Sequence, residues 1–351
     1  MDTTLVAREL SSDKSKERMQ FAGGILFDWA MVATSSWVLI GGYLDAWAHN
    51  HIRLETFFTP WHAVLYSGFL IVASFIVGTL IFNRIRGYTW THALPPGYNL
   101  SLIGVIFFAL GGVGDMLWHI LFGIELSISA ALSPTHILLA ICFALIMSGP
   151  FRSAWQRSNT QSKPNWKSLA PMIVSLLLTL SVFTLITQFA HPFVRPLSTP
   201  STEQTFNDQA LGVVSIILQA SILMGLLLLT LRRWMLPFGS LTFIFTLNAV
   251  LMSFMQDHYV LIPFIAIAGL IADLLLVQLK PSVTRPDALR VFAFTVPIVL
   301  YLSYFLALQL TVGISWTIHL WLGSTVGAGI FGLLLSYLLV PPQIPQEPMS
   351  Q

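Results

Sequence analysis

The sequence predicts an all-α polytopic membrane protein, a bundle of about ten transmembrane helices with both termini in the cytoplasm. Hydrophobic residues make up 55% of the 351 positions, and charged residues only 9%. The mean hydropathy is +0.76. Apolar runs of about 20 residues, the length that crosses a bilayer core, recur along the chain. This composition excludes a soluble globular protein.

Each predicted helix is an apolar run that polar residues, Pro or Gly interrupt at both ends. The predicted runs cover residues 22–44, 60–83, 99–121, 131–149, 168–188, 210–231, 238–256, 259–279, 289–311 and 316–340. The stretch 238–279 is almost continuous, and we divide it because Gln256, Asp257, His258 and Pro263 interrupt it. Small-residue stretches at 111–114 and 323–329 favour close approach between helices.

The distribution of basic residues predicts the orientation. With a cytoplasmic N-terminus, only Arg53 and Arg195 of the 17 Lys and Arg residues fall on the outer side. This asymmetry follows the rule that basic residues concentrate in cytoplasmic segments. The first 20 residues carry charges of both signs, which indicates a cytoplasmic lead and not a cleaved signal peptide. We expect a multi-pass protein of a prokaryotic plasma membrane.

The predicted helices form two groups. Residues 1–150 comprise the lead and four helices, and a basic polar linker at 151–167 precedes six helices in 168–340. A Pro-rich tail, 341–351, is predicted to be disordered. The expected partners are the lipid bilayer and either partner membrane subunits or further copies of the chain. We find no soluble domain and no nucleic-acid-binding pattern.

Two stretches in the first group repeat one arrangement of a carboxylate and two histidines. In each, Asp precedes His by four positions, so that both side chains share one helix face. A second His then follows a Pro-containing turn. The first set is Asp45, His49 and His62, and the second is Asp115, His119 and His136. The predicted orientation places both sets at the outer ends of their helices.

One carboxylate and two imidazoles form a ligand set that suits copper, zinc or non-haem iron. Cys142 is the single cysteine and lies in an apolar run, so a thiolate cluster is excluded. Glu55 and Glu125 fall between the two histidines of their sets and are candidates to accept an imidazole N–H beside the metal. Ionisable groups in or near membrane helices are usually functional, which favours metal binding over an interfacial role. No catalytic residue is assigned.

The first set carries a family resemblance. D-A-W-A-H at 45–49 and E-T-F-F-T-P-W-H-A-V-L-Y-S-G-F at 55–69 resemble the C subunit of the copper membrane monooxygenases, the particulate methane and ammonia monooxygenases. The resemblance covers residues 40–145. It implies that Asp45, His49 and His62 bind copper, and that Asp115, His119, Glu125 and His136 correspond to the neighbouring site of the family.

The second set departs from the family pattern in two ways. Asp115 stands where the family usually has Asn, and the spacing from His119 to His136 is longer than in the family. The metal or the charge of the second site can therefore differ. Beyond the fourth predicted helix no resemblance is found, and the chain has more helices than the family's C subunit.

Three functions remain open at the level of sequence. The first is an oxidoreductase in which copper oxidises a small apolar substrate with O₂. The second is a membrane protein that binds or relays copper or zinc without substrate chemistry. The third is a metal transporter, for which ligands on broken helices near the bilayer midplane are expected. The predicted position of both sets at helix ends disfavours the third.

Overall fold

The computed structural model describes residues 23–52, 58–123, 128–157 and 165–342, and within these ranges the regular secondary structure is helical. The predicted all-α polytopic fold class is confirmed. The chain divides into two compact units, with the boundary between Ile186 and Thr187. The N-terminal lead, the centre of the polar linker and most of the Pro-rich tail lie outside the described residues.

The first unit contains two long helical hairpins. Its helices are α1 (Ile25–His51), α2 (Pro60–Ile85), α3 (Asn99–Phe122), α4 (Ile128–Leu132), α5 (Pro134–Met147), α6 (Gly149–Gln156) and α7 (Trp166–Ile186). Helix α1 packs mainly against α2, and α3 packs mainly against α5. Helix α7 packs against α1, α5 and α6, so the division in packing lies after α7 and not at the polar linker.

The second unit begins with a 3-10 turn, Gln188–Ala190, and continues with five helices. They are α8 (Phe206–Leu231), α9 (Ser240–Phe254), α10 (Leu261–Leu279), α11 (Pro286–Thr311) and α12 (Ile318–Leu339). Helices α9, α10, α11 and α12 pack in chain order, and α12 returns to pack against α8. Gly332 lies against the carbonyl of Ala293, so α11 and α12 approach closely at this position.

Eight helices within the described ranges are long and apolar enough to cross a membrane, and the bent pair α5 and α6 raises the number to nine. Helix α9 is apolar but has only 15 residues. Each of the ten predicted apolar runs overlaps one of these helices. The protein is therefore a multi-pass membrane protein in contact with the lipid bilayer.

Two interruptions have local causes. Helices α5 and α6 meet at an angle of 41°. Pro150 lies in the first turn of α6 and cannot donate a backbone hydrogen bond into the preceding helix. Between α9 and α10, Asp257 has a φ of 59°, a left-handed conformation that ends a helix. The predicted division of the stretch 238–279 is confirmed.

Glycines allow close contact within both hairpins of the first unit. A Cβ at Gly41 of α1 would lie 2.5 Å from the Cα of Leu65 in α2. A Cβ at Gly111 of α3 would lie 3.1 Å from the side chain of Leu139 in α5. Each glycine precedes the Asp of its candidate set by four residues. Gly41 therefore lets α1 and α2 approach beside Asp45, and Gly111 lets α3 and α5 approach beside Asp115.

Two buried carboxylates connect helices at positions away from the candidate sets. The Asp28 side chain accepts a hydrogen bond of 2.6 Å from the Tyr98 hydroxyl and pairs with Arg157 at 2.5 Å. Asp273 of α10 accepts hydrogen bonds from the backbone N–H groups of Leu241 and Thr242 at the start of α9. Asp273 thus caps a neighbouring helix whose own N-cap residue, Gly239, has no side chain.

Candidate metal centres

The first candidate set, called centre 1, consists of Asp45, His49 and His62. Asp45 and His49 lie one turn apart near the C-terminal end of α1, with 3.9 Å between the His49 Nε2 and a carboxylate oxygen. The His62 Nε2 lies 3.2 Å from Asp45 Oδ1. The three donor atoms lie within 4.8 Å of one another. The structure therefore brings together the three residues that the sequence predicts.

The second candidate set, called centre 2, consists of Asp115, His119 and His136. The His119 Nε2 lies 3.5 Å from Asp115 Oδ2, and the His136 Nε2 lies 3.3 Å from Asp115 Oδ1. These donor atoms also lie within 4.8 Å of one another. The C-terminal end of α3 and the first turn of α5 provide them, as α1 and α2 do for centre 1.

The second histidine of each centre is positioned by the same helix start. Thr59 is the N-cap of α2, and its hydroxyl accepts a hydrogen bond of 3.3 Å from the backbone N–H of His62. Ser133 does the same for His136 at the start of α5, also at 3.3 Å. In both, Pro follows the cap in the first turn, where its missing N–H is tolerated. The sequence [Ser/Thr]-Pro-x-His thus orients the imidazole.

The separations fit ligands of one ion. Two ligand atoms at about 2.1 Å from a tetrahedral metal lie about 3.4 Å apart. The four distances between imidazole nitrogen and carboxylate oxygen run from 3.2 to 3.9 Å and therefore bracket this value. Asp45 Oδ1 and Asp115 Oδ1 are buried, and each lies close to an imidazole Nε2, at 3.2 Å from His62 and 3.3 Å from His136. A cation bound between the carboxylate and the two imidazoles would also satisfy these buried oxygens.

The charges of the two centres also favour a cation. Among the residues that the structure describes, neither Asp45 nor Asp115 has a Lys or Arg nitrogen within 4.0 Å. A carboxylate buried beside a membrane-spanning helix is costly without a positive partner. The imidazoles can hold a metal ion beside the carboxylate, and the ion would then supply the positive partner.

Tyr66 lies between the two hairpins. Its ring centre is 6.2 Å from that of His62, one turn earlier on α2. The Tyr66 hydroxyl and ring also lie against Gly112 of α3, three residues before Asp115. Phe108 of α3 lies beside the same ring, with 6.4 Å between centroids. Tyr66 is therefore in contact with the helix of centre 2 and close to a ligand of centre 1.

Sequence reasoning missed Tyr66 and one part of the repeat. Gly41–Gly42 and Gly111–Gly112 precede the two Asp residues at the same spacing, so that the repeat is G-G-x-x-D-x-x-x-H in both hairpins. Of these two glycine pairs, only Gly111–Gly112 falls within a predicted small-residue stretch, 111–114. The matching pair at 41–42 was the signal that each hairpin needs a close contact beside its Asp. Nothing in the spacing indicated Tyr66.

The remaining candidates are Glu55, Glu125 and His51. Glu55 and Glu125, predicted to accept imidazole N–H groups, fall outside the described residues. His51 is exposed and stacks on the Trp47 ring. Its Nδ1 donates a hydrogen bond of 2.9 Å to the Trp47 carbonyl, and His51 belongs to neither centre.

Two further histidines have structural contacts in the second unit. His191 is buried, accepts the backbone N–H of Phe193 at 3.1 Å, and has its pKa lowered by burial to about 3. The His258 Nδ1 donates to the Phe193 carbonyl at 2.8 Å. The segment after the 3-10 turn is therefore held in place by two imidazoles.

Comparison with known proteins finds no matching family model, no matching curated protein and no matching solved structure. The interpretation of the two centres therefore depends on their geometry, their ligand types and the motif resemblance. The geometry by itself supports a multi-pass membrane protein with two Asp/His/His groups that can bind metal.

Proposed function

We propose that this chain is a copper-binding membrane protein that oxidises a small apolar substrate with O₂, alone or as a subunit of a larger enzyme. The observation that carries the proposal is the duplicated convergence of one carboxylate and two imidazoles in each centre. The resemblance of residues 40–145 to the C subunit of copper membrane monooxygenases supports copper over zinc or iron, which use similar ligands.

The residues have distinct parts in this proposal. His49, His62, His119 and His136 present nitrogen donors, and Asp45 and Asp115 provide one negative charge per centre. Copper held there would supply one-electron redox chemistry. Monooxygenation places one oxygen atom in the substrate and reduces the other to water, with two electrons from an external reductant and two protons from solvent. The exposed apolar surfaces of α2 and α3 give an apolar substrate access from the lipid.

A second candidate is metal binding or relay without substrate chemistry. The partial exposure of centre 1 favours it, because the His49 side chain is 16% exposed and Asp45 17% exposed. An ion can therefore reach this centre from outside the protein. Transport through the bilayer is less well supported, because the ligands lie in terminal turns of α1, α2, α3 and α5 and not on helices broken at their midpoints.

The metal content of purified protein in lipid nanodiscs tests the proposal. Elemental analysis compares the wild type with His49→Ala/His62→Ala and with His119→Ala/His136→Ala. We expect two copper ions per chain in the wild type and the loss of one in each double variant. Zinc or iron in place of copper would contradict the assigned metal, and no bound metal would contradict the centres themselves.

Formation of oxidised product separates the two candidate functions. Copper-loaded nanodiscs receive a reductant and small alkanes or alkenes, and oxidised products are measured against the double variants. Substrate-dependent product that the variants lack supports the monooxygenase function. The alternative outcome is stoichiometric copper with no oxidised product, both from the chain alone and when its copurifying membrane proteins are retained. That outcome supports metal binding or relay.

A further inference from the structure

The two centres differ in the burial of their ligands. The Asp115 side chain is 3% exposed and His119 is 4% exposed, against 17% for Asp45 and 16% for His49. The histidine on the partner helix shows the opposite order, since His136 is 22% exposed and His62 10%. Asp115 and His119, which lie together on α3, are thus much more enclosed than Asp45 and His49, which lie together on α1.

The first histidine of centre 2 is also held from behind. The His119 Nδ1 lies 3.4 Å from the carbonyl oxygen of Gly123, to which it can donate, leaving Nε2 toward Asp115. Gly123 ends α3 with a φ of 81° and bonds back through its N–H to the His119 carbonyl at 3.0 Å. Among the described residues, the His49 ring pairs with Asp45 at 3.9 Å and has no comparable carbonyl acceptor.

Both differences act on metal retention. Attraction between a cation and a carboxylate grows as the surrounding dielectric falls, so Asp115 holds an ion more strongly than the more exposed Asp45. An imidazole whose second nitrogen is hydrogen-bonded is already oriented, and such outer contacts change metal affinity by about 10–100-fold. The exposed edge at His136 gives water access to one ligand only, and release requires separation from Asp115 and His119 as well.

We propose that centre 2 is the retained metal centre and that centre 1 is the exchangeable one, through which a divalent transition-metal ion enters and leaves. This inference rests on the metal binding in the proposed function. The two centres have the same ligand types. Their different metal retention arises from the deeper burial of Asp115 and His119 and from the Gly123 carbonyl behind His119.

Metal release from each centre alone tests the proposal. His49→Ala/His62→Ala retains centre 2, and His119→Ala/His136→Ala retains centre 1. Both variants, in nanodiscs, are loaded with Cu²⁺, freed of excess metal and challenged with EDTA, and the copper that remains is measured over time. We expect release from centre 2 to be at least about tenfold slower. Equal rates, or slower release from centre 1, would overturn the assignment.

Chemical labelling of the wild type provides a readout without substitutions. Metal-free protein in nanodiscs is treated with diethyl pyrocarbonate, and mass spectrometry follows modification of each histidine. His49 is expected to react faster than His119, and equal reactivity would contradict the burial on which the inference depends. If neither variant binds Cu²⁺, the proposed function and this inference fall together. If both bind it and release it equally, this inference alone falls.

Discussion

At the scale of single residues, the centres depend on hydroxyl caps as well as on ligands. Thr59 and Ser133 do not face a metal, but each accepts the backbone N–H of the histidine three residues later. The cap fixes the first turn of its helix and hence the direction of the imidazole. A helix cap of this kind contributes about 1 kcal/mol.

Thr59→Ala should therefore weaken metal binding at centre 1 by up to about fivefold, because the lost cap costs about 1 kcal/mol. Competition with a chelator in the His119→Ala/His136→Ala background measures the affinity. Thr59→Ser should retain the wild-type value. The control is Thr79→Ala on the same helix, whose hydroxyl bonds the Phe75 carbonyl far from the centre. Equal effects of Thr59→Ala and Thr79→Ala would contradict the role of the cap.

His191 shows what burial does to an imidazole outside the membrane-spanning helices. Its pKa falls from the ordinary 6.5 to about 3, because burial disfavours the charged form. The unfolded chain then binds a proton at a pH where the folded chain does not. The contribution of His191 to folding stability is fully present above pH 6.5. It declines as the pH falls toward 3, by at most about 1.4 kcal/mol per pH unit.

His191→Gln should remove much of this decline, since Gln cannot take up the proton. Thermal unfolding in nanodiscs is followed from neutral pH to about pH 4, the range in which unfolded histidine becomes protonated. His319→Gln, at an exposed position of the same unit, should leave the wild-type pH dependence unchanged. An identical pH dependence in the wild type and His191→Gln would show that this imidazole does not limit acid stability.

At the scale of helices, small residues decide how closely the hairpins approach. Gly112 and Gly114 lie on the same helix, but only Gly112 faces a neighbour. A Cβ at Gly112 would lie 3.1 Å from the Tyr66 ring and 3.2 Å from its hydroxyl oxygen, whereas nothing lies within 4 Å of a Cβ at Gly114. The two glycines therefore form a matched pair for testing the contact between α2 and α3.

Gly112→Ala should displace Tyr66 and lower stability by about 1–3 kcal/mol, the usual cost of an added methyl group in a packed interface. Because Tyr66 follows His62 by one turn, copper affinity at centre 1 should fall as well. Gly114→Ala should lower neither quantity, since Ala is the better helix former and its methyl group meets no neighbour. Thermal unfolding and chelator competition measure both, and Gly112→Ala/Tyr66→Ala should be less destabilised than the two single changes added together. Additive effects would contradict direct contact.

At the scale of the whole molecule, the sequence predicted what local spacing determines. The four-residue spacing of Asp45 and His49 placed both on one helix face, and Asp257 correctly marked a break between two helices. The bend between α5 and α6, the packing of α7 with the first hairpins and the greater burial of Asp115 were not predicted. These depend on contacts between residues distant in the chain, which identical ligand patterns at 45–62 and 115–136 cannot distinguish.

All six ligands belong to the first unit, so disturbing the second unit should not change metal content. Asp273→Ala removes the acceptor of one buried and one partly buried N–H group at the start of α9, and a buried group left unsatisfied costs about 1–3 kcal/mol. The variant should unfold at a lower temperature yet keep both copper ions.

Asp287→Ala, which removes a surface carboxylate paired with Arg290, is the control and should change neither property. Copper lost from folded Asp273→Ala protein would show that the second unit helps to hold the centres. Copper retained at a lowered unfolding temperature would show that the hairpins α1–α2 and α3–α5 hold the ions independently of α9 and α10.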